Sequence, residues 1–195
     1  MSLIKKIQNK IFWFLVRHSK EERKSRLLRR VCAHIGENTR LIGNEFGVEP
    51  YLIWVGDNVV AAIGTSFVEH DMSWYTVHRY LNQQPTKAGT KMGGIILRDN
   101  CFVGAYTTLL GGTDIGENSI IAAGSVVNKK IPSNEVWGGV PAHFIMTMDE
   151  YAEKVIAAQE ELPWIKSGQY KDFSERDLIR ARQEHYLETI LGGHS

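Results

Sequence analysis

The chain has 195 residues, of which 43% are hydrophobic, and its formal net charge at pH 7 is +1. This length favours one domain with a sizeable core, and the small charge excludes a strong electrostatic attraction to nucleic acid. The two cysteines, Cys32 and Cys101, make no disulfide framework, which predicts a reducing, cytoplasmic environment.

The first 30 residues carry ten Lys or Arg against two Glu, a net charge of +8, whereas the remainder carries −7. Apolar residues and one histidine recur at helical spacing and predict an amphipathic helix, at Ile4, Ile7, Ile11, Phe14, Leu15 and His18. The apolar run at 11–16 is too short to span a bilayer and no cleavage site follows it, so we expect no signal peptide. The helix either caps the following domain or makes a weak contact with a membrane surface through its basic face.

A six-residue period begins near residue 35 and is most regular across residues 97–132. Large aliphatic residues recur there at Leu97, Val103, Leu109, Ile115, Ile121 and Val127. The residue four positions later is small at Cys101, Thr107, Thr113, Ser119 and Ser125, with Ile131 as the exception. This period matches neither a helix nor a simple strand. It predicts a solenoid with three flat faces per 18-residue coil, whose coils stack about 4.8 Å apart through parallel hydrogen bonds.

The period is irregular at 47–54 and breaks across 72–94, and long insertions of this kind are more often functional than idle. After the solenoid, a capping-box pattern at 147–150 opens a helix that Pro163 should end, and residues 174–191 predict another helix. We therefore predict one domain overall. It has an N-terminal helical cap at 1–30, a solenoid at 31–146 with an inserted loop at 72–94, and a C-terminal helical extension at 147–195.

Histidine is the usual general base near neutral pH. Among seven histidines, His70 is the main candidate because it lies where the regular coils meet the inserted loop. His78, inside that loop, is the chief alternative, and His70 could instead be a corner residue bonded to a backbone carbonyl. The group that orients the His70 ring stays unassigned, because neighbouring residues of an extended chain point to opposite faces, so that Glu69 and Asp71 would both point away from the ring.

The repeat and the position of His70 resemble the hexapeptide-repeat acyltransferases, and in pattern most of all the branch with galactoside, maltose and polysaccharide O-acetyltransferases. The resemblance covers residues 31–146. It implies a mainly β fold, a left-handed parallel β-helix solenoid, against the usual right-handed crossover. It also implies a homotrimer, acetyl-CoA as cosubstrate in a groove between subunits, no metal, and His70 as the general base.

The resemblance extends to two segments that bind the cofactor in this family. The family's Asn-Val-Trp-Ile-Gly-Ser segment corresponds to residues 100–105, which implies that Phe102 packs on the pantetheine arm and that Gly104 and the Ala105 amide lie near the thioester. Its Gly-Ala-Gly-Ser-x-Val-Thr-Lys segment corresponds to residues 122–129. The implied contacts there are Ala122 and Ala123 to pantetheine, and Asn128 and Lys129 to the nucleotide.

Two residues depart from the family pattern. Asn128 replaces the common Thr, and His143 replaces the Arg or Lys expected near the 3′-phosphate of CoA. A neutral histidine is a weaker phosphate partner than arginine. We expect weaker CoA binding, or a phosphate contact made by Lys129 or Lys130 instead.

The sequence thus predicts an acetyl-CoA-dependent O-acetyltransferase that acts on a hydroxyl of a saccharide, with a cell-surface polysaccharide or its precursor as the preferred acceptor. Aromatic side chains stack on sugars, so we assign the acceptor site to the loop and its edge, at Glu69, Asp71, Trp74, Tyr75, His78 and Arg79. The alternatives are N-acetylation of an amino sugar, O-acetylation of an antibiotic or other small molecule, and a non-enzymatic scaffold. A zinc carbonic anhydrase would need three histidine ligands, and no histidine lies between His78 and His143.

Overall fold

The computed structural model describes residues 3–43, 45–84 and 90–191. The chain forms two units, Met1–Met148 and Asp149–Ser195. In the first unit the six-residue period folds into three parallel β-sheets, one for each face of the coils. This arrangement confirms the predicted parallel solenoid.

The strands of the first sheet are β1 (His34–Ile35), β4 (Ile53–Val55), β9 (Ile95–Leu97), β12 (Asp114–Ile115) and β15 (Lys130–Ile131). The second sheet holds β2 (Arg40–Leu41), β5 (Val60–Ala61), β10 (Phe102–Val103), β13 (Ile120–Ile121) and β16 (Glu135–Gly138), and β17 (His143–Thr147) pairs with β16 in the antiparallel direction. The third sheet holds β3 (Glu45–Phe46), β6 (Ser66–Val68), β11 (Thr108–Leu110) and β14 (Val126–Val127). A short 3-10 turn, Pro50–Leu52, precedes β4.

The aliphatic phase of the repeat forms the core of the solenoid. Strand partners in the regular block lie 18 residues apart, as in Phe102↔Ile120 and Thr108↔Val126, and all six aliphatic residues of that block are fully buried. The final coil is shorter, because Ile115 pairs with Ile131. Ile131 therefore occupies a core position, which explains why it is not the small residue that the corner pattern predicts.

Asparagine forms a ladder along one corner of the solenoid. Asn38, Asn58, Asn100, Asn118 and Asn134 all have positive φ values, between 55° and 62°. The side-chain amide of each of the first four donates to the side-chain carbonyl oxygen of the next asparagine, at 3.0 to 3.2 Å. Asparagine tolerates left-handed backbone because its short polar side chain can bond locally.

Two helices cover the first coil, α1 (Leu3–His18) and α2 (Glu21–Leu28). From α2, the buried Lys24 Nζ donates to the carbonyl of Leu41 at 3.0 Å. Arg29, directly after α2, donates to the carbonyls of Ile35 and Gly36. These contacts satisfy an edge strand that has no preceding coil to pair with.

Helix α1 packs on the solenoid through a face other than the one the sequence predicts. Val16 is buried, and Phe12 and Trp13 pack against the core. Ile7, Ile11 and Phe14 are 49%, 54% and 60% exposed. The predicted apolar face therefore lies outward, because the bulkier aromatic pair and Val16 fill the space above the coil.

The insertion at 72–94 contains one helix, α3 (Trp74–Tyr80), and is closed by the antiparallel pair β7 (His70–Asp71) and β8 (Lys91–Met92). The sequence predicts a loop for this stretch, and its Pro85 lies outside the described residues. In the second unit, α4 (Met148–Glu160) is followed by α5 (Pro163–Lys166), a 3-10 turn (Gln169–Lys171) and α6 (Glu175–Leu191). No helix within the described ranges is long and apolar enough to cross a membrane.

Candidate active site

His70 is held at the point where the third sheet passes into the insertion. It pairs with Met92 across β7 and β8, and Asp71 pairs with Lys91. The N–H group of Gly93 donates to the carbonyl of Glu69 at 2.8 Å. Both ends of the insertion are therefore fixed to the solenoid beside the imidazole.

Glu49 is the carboxylate that faces the His70 ring. Its Oε2 atom lies 2.7 Å from Nδ1 of His70, and both side chains are mostly buried. The contact departs from ideal hydrogen-bond alignment, and neither atom has a hydrogen-bond partner within the described ranges. With Nδ1 facing the carboxylate, Nε2 is the ring nitrogen left to accept a proton, which is the arrangement that a general base requires.

Sequence reasoning missed Glu49. It lies 21 residues before His70, in the irregular stretch that ends at the Pro50–Leu52 turn. No periodic pattern indicates where such a stretch directs its side chains. One signal in the sequence could have indicated Glu49. It lies in the irregular stretch 47–54, the first interruption of the repeat, and His70 lies next to the second interruption, the insertion at 72–94.

Glu69 lies inside the solenoid instead of facing the insertion. It is fully buried, and neither carboxyl oxygen has a hydrogen-bond partner within the described part of the chain. Burial raises the pKa of Glu69, and the nearby Glu49 raises it further, while the backbone N–H groups of Glu69 itself and Gly47 and the charge of His70 act in the opposite direction. Burial, helped by the charge of Glu69, also raises the pKa of the Cys32 thiol to about 12. The inward position favours a role beneath His70 over the predicted contact with substrate.

The other predicted acceptor residues lie on or before α3. Asp71 accepts hydrogen bonds from the backbone N–H and hydroxyl of Ser73, at 2.7 and 3.0 Å. These bonds lower the pKa of Asp71 and fix the start of α3.

One face of α3 carries aromatic rings and two unpaired polar atoms. Trp74 packs edge-on against Tyr75 and His78, and Arg79 donates to the Tyr75 hydroxyl at 3.1 Å. Nε1 of Trp74 and Nδ1 of His78 are buried and lack a hydrogen-bond partner among the residues described. Both atoms are enclosed, so a polar ligand beside α3 reaches them only after the side chains that cover them move.

The predicted cofactor residues gather along the corner between the second and third sheets. Any Cβ at Gly104 would overlap the backbone of Ala122 and Ala123 in the next coil. The N–H group of Gly124 donates to the Ala105 carbonyl at 2.8 Å. These small residues therefore form a continuous, narrow strip across adjacent coils.

The remaining predicted cofactor residues are exposed. Phe102 lies on β10, 41% exposed. The Lys129 ammonium lies 5.9 Å from the centre of the Trp137 ring. Asn128 and His143 are exposed, and His143 is the residue that any Cβ at Gly139 would meet.

Within one chain, the strip of small residues at 104–105 and 122–123 and His70 lie at opposite ends of the third sheet, whereas Asn128 and Lys129 follow the end of β14 and lie at the same end as His70. Residues 104–107 lead into β11, which pairs with β6, and His70 follows the end of β6. Thr65, before β6, is five residues from His70, which corresponds to about 16 Å of extended chain. The structure therefore does not bring His70 and the strip of small residues together in a single subunit.

Glu49, Glu69 and His70 also offer three ligand atoms within 4.8 Å of one another. Two carboxylates and an imidazole could hold a divalent cation. Acyl transfer from a thioester needs only a base, an oxyanion donor and positioning, and the His70–Glu49 pair supplies the base.

Stacked 18-residue coils with a histidine–carboxylate pair at a corner insertion define a hexapeptide-repeat protein with a candidate acid–base site. Residues 94–129 match the family model of the bacterial transferase hexapeptide (six repeats). Protein CapG of Staphylococcus aureus is 31% identical over 181 residues, which cover 91% of this chain and 98% of CapG. The chain belongs to the hexapeptide-repeat transferase family.

Galactoside O-acetyltransferase of Escherichia coli (strain K12) is 32% identical over 117 residues, 60% of this chain and 55% of that enzyme. The chain thus spans just over half the length of this curated relative. A solved structure of galactoside acetyltransferase in complex with coenzyme A matches with a TM-score of 0.55 at 22% identity, over 76% of this chain and 83% of that chain. This structural match shows that the two chains share a fold.

Proposed function

We propose that the protein transfers an acetyl group from acetyl-CoA to a hydroxyl group, with His70 as the general base. The observation that carries the proposal is the 2.7 Å contact between His70 and Glu49 beside the insertion. A buried carboxylate on one ring nitrogen orients the imidazole and favours its protonated form after proton transfer. Membership of the hexapeptide-repeat transferases supports the reaction class.

The reaction exchanges one C–S bond for one C–O bond. His70 Nε2 takes the proton of the acceptor hydroxyl as its oxygen attacks the thioester carbonyl. The tetrahedral oxyanion then collapses, the C–S bond breaks, and the proton on His70 returns to the leaving CoA thiolate. The N–H group of Ala105 is our candidate oxyanion donor, because it makes no backbone hydrogen bond within the described residues.

Acetyl-CoA would lie along the strip formed by Phe102, Gly104, Ala105, Ala122 and Ala123. Small residues there leave room for the pantetheine arm, and the exposed Phe102 ring offers it an apolar surface. The nucleotide end would reach Asn128, Lys129 and His143 on the exposed end of the solenoid. Of these, Lys129 carries a permanent charge for phosphate.

We infer a cyclic homotrimer in which each active site combines the cofactor corner of one subunit with His70 of its neighbour. The separation of these two groups along the third sheet supports this arrangement. A closed ring is the usual solution when different surfaces of identical chains must meet. The left-handed winding of the solenoid, implied by the family, is part of the same proposal.

For the acceptor, we propose a saccharide bound against α3. The aromatic rings of Trp74 and Tyr75 suit the apolar face of a sugar ring, and the exposed Arg79 offers donors to its hydroxyl groups. The galactoside O-acetyltransferase relative supports a hydroxyl acceptor. An amino sugar, which would make the reaction N-acetylation, is the alternative within the same pocket.

Thiol release from acetyl-CoA, measured against a panel of mono- and oligosaccharides and amino sugars, tests the proposal. We expect the His70→Ala variant to lose about 100-fold or more of the acceptor-dependent rate, because the general base is absent, while CoA binding measured by calorimetry is retained. Full activity of this variant would refute the assignment. Release that no acceptor accelerates would instead support a non-enzymatic scaffold.

A further inference from the structure

Tyr106 departs from the backbone pattern at the corner between the second and third sheets. The residue two positions before each strand of the third sheet has a positive φ, between 57° and 74°, at Gly43, Gly64, Tyr106 and Gly124. Glycine adopts this conformation freely, whereas it is sterically costly for a residue with a bulky side chain. Three coils therefore carry glycine at this corner and the fourth carries a strained tyrosine. Residues held in such a conformation concentrate at functional sites.

Packing within the chain does not account for the tyrosine. Its side chain is 70% exposed, so it gains little from removal of apolar surface from water. Its backbone N–H donates to the carbonyl of Ile63 at 2.9 Å, a bond that almost any residue could make. The ring nevertheless has a defined place, because it lies against Gly64 so closely that a Cβ there would overlap its Cδ1 and Cε1 atoms.

The ring of Tyr106 lies at one end of the strip of small residues. This strip passes from residues 122–123 to residues 104–105, and the next coil in that direction carries residues 62–64. In the proposed placement of acetyl-CoA, the nucleotide end lies on the later coils and the thioester lies at the N–H group of Ala105. The acyl group therefore points toward residues 62–64, where the ring of Tyr106 lies.

We propose that Tyr106 limits the length of the acyl group, so that the protein uses acetyl-CoA in preference to propionyl-CoA and butyryl-CoA. The inference rests on the proposed function, because it takes its placement of the cofactor. An acetyl group fits between the Ala105 N–H and the ring, whereas each further CH₂ group must displace the ring. One extra methylene in a closed pocket lowers the efficiency by about 10- to 200-fold. Tyr106 is thus a specificity-determining residue that acts through its ring and not through its hydroxyl.

Thiol release from acetyl-, propionyl- and butyryl-CoA, measured with the best acceptor of the saccharide panel, tests the proposal. We expect kcat/KM of the wild type to be at least about tenfold lower for propionyl-CoA than for acetyl-CoA. Tyr106→Gly and Tyr106→Asn both remove the ring and both accept a positive φ, so both should fold. Each should raise the ratio of propionyl to acetyl efficiency by about tenfold. Tyr106→Phe is the matched control, because it keeps the ring and should keep the wild-type ratio.

An unchanged ratio in both ring-less variants would overturn the proposal. A change in Tyr106→Gly alone would do the same, since it would trace the effect to backbone freedom. A raised KM for the acceptor with an unchanged ratio would place Tyr106 against the acceptor and would also refute the role.

Calorimetric titration with butyryl-CoA and acetyl-CoA gives a second readout that needs no acceptor. We expect Tyr106→Gly and Tyr106→Asn to bind butyryl-CoA, relative to acetyl-CoA, at least about tenfold more tightly than the wild type does. Equal relative affinities in all three proteins would contradict the proposal. If the relative affinity shifts as expected but no acceptor accelerates thiol release, the proposed transfer reaction fails and the assignment of Tyr106 stands.

Discussion

At the scale of single residues, the candidate site depends on how Glu49 reaches the imidazole of His70. The carboxylate comes from an irregular stretch beside the solenoid, and its Oε2 atom meets the ring 2.7 Å from Nδ1. Replacement by an amide keeps the shape of the side chain but removes the charge that stabilises the imidazolium form. A Glu49→Gln substitution therefore tests the contribution of the charge at this position while the packing is kept.

We expect Glu49→Gln to lower kcat for acceptor acetylation by about 100-fold, with little change in KM for acetyl-CoA, because the cofactor corner is remote from this contact. Steady-state kinetics measure both values. Glu45→Gln, an exposed change on the neighbouring strand β3, is the matched control and should stay close to wild type. Equal effects of the two substitutions would contradict the role of Glu49.

The residue scale also shows how far the sequence alone could lead. The position of His70 follows from the break in the repeat, which can be read directly. Glu49 and the burial of Glu69 cannot be read in this way, since both depend on the non-periodic stretch 47–52, in which Gly47 lies against Glu69 and Glu49 contacts His70. Alternation along an extended chain predicts that Glu69 and Asp71 point to the same face, opposite to His70, and it does not indicate that only Glu69 is buried while Asp71 is exposed.

At the scale of elements, the Asn ladder determines how sharply each coil turns. Asn118 has a φ of 55°, accepts a hydrogen bond from Asn100 and donates one to Asn134, both at 3.0 Å. A non-glycine residue other than Asn or Asp pays a steric penalty in this backbone region. Substitution at the corner therefore removes two separate contributions to stability.

We expect Asn118→Ala to reduce the free energy of unfolding by about 2–3 kcal/mol, from the two lost hydrogen bonds and the left-handed backbone together. Asn118→Gly should cost about 1 kcal/mol less, because glycine adopts this conformation freely. Asn82→Ala is the control, since Asn82 has a φ of 53° but lies outside the ladder. Urea denaturation at a fixed protein concentration measures all three, and equal losses for Ala and Gly at position 118 would refute the steric part of the argument.

Helix α1 is the element whose outward face has no partner within the described chain. Ile7, Ile11 and Phe14 are exposed there, next to the exposed Lys10 and Arg17. An apolar face flanked by basic side chains suits the surface of an anionic membrane. We propose that α1 binds to such a surface. This is the membrane contact that the sequence offers as the alternative to a capping role.

In vesicle sedimentation, we expect the protein to bind phosphatidylglycerol vesicles, to bind phosphatidylcholine vesicles weakly, and to dissociate as salt is raised. The double substitution Ile11→Ser and Phe14→Ser should weaken binding by at least about tenfold, because two apolar side chains no longer enter the lipid. Ile156→Ser, an equally exposed change in α4, is the control. Unchanged sedimentation of the double variant would contradict membrane docking.

At the scale of the whole molecule, the solenoid keeps its two functional groups apart. The cofactor strip lies along one corner and His70 emerges at the far end of the third sheet. The fold is predictable from the sequence because the six-residue period places one aliphatic residue on every face of every coil. The six-residue period does not predict how the cofactor strip and His70 come together, since in our proposal that contact requires a second copy of the chain.

Complementation between inactive subunits tests whether the active site is shared. One chain would carry His70→Ala and the other Ala123→Trp, which places a bulky ring on the exposed cofactor corner. Each homotrimer should be inactive. Trimers co-expressed with two different tags and purified through both should recover up to about one third of wild-type activity, because every mixed ring has one site in three with an intact base and an intact corner.

The matched control is a wild-type chain co-expressed with a chain that carries both substitutions. If each site spans two subunits, this mixture, purified in the same way, recovers only about one sixth, since an intact site needs two neighbouring wild-type chains. If each site lies within one chain, the control recovers about one half and the single-substitution mixture recovers nothing. Light scattering of the purified species, with a mass three times the 22.1 kDa of one chain, ties the result to the trimer. A monomeric mass, or an inactive single-substitution mixture, would refute the shared site.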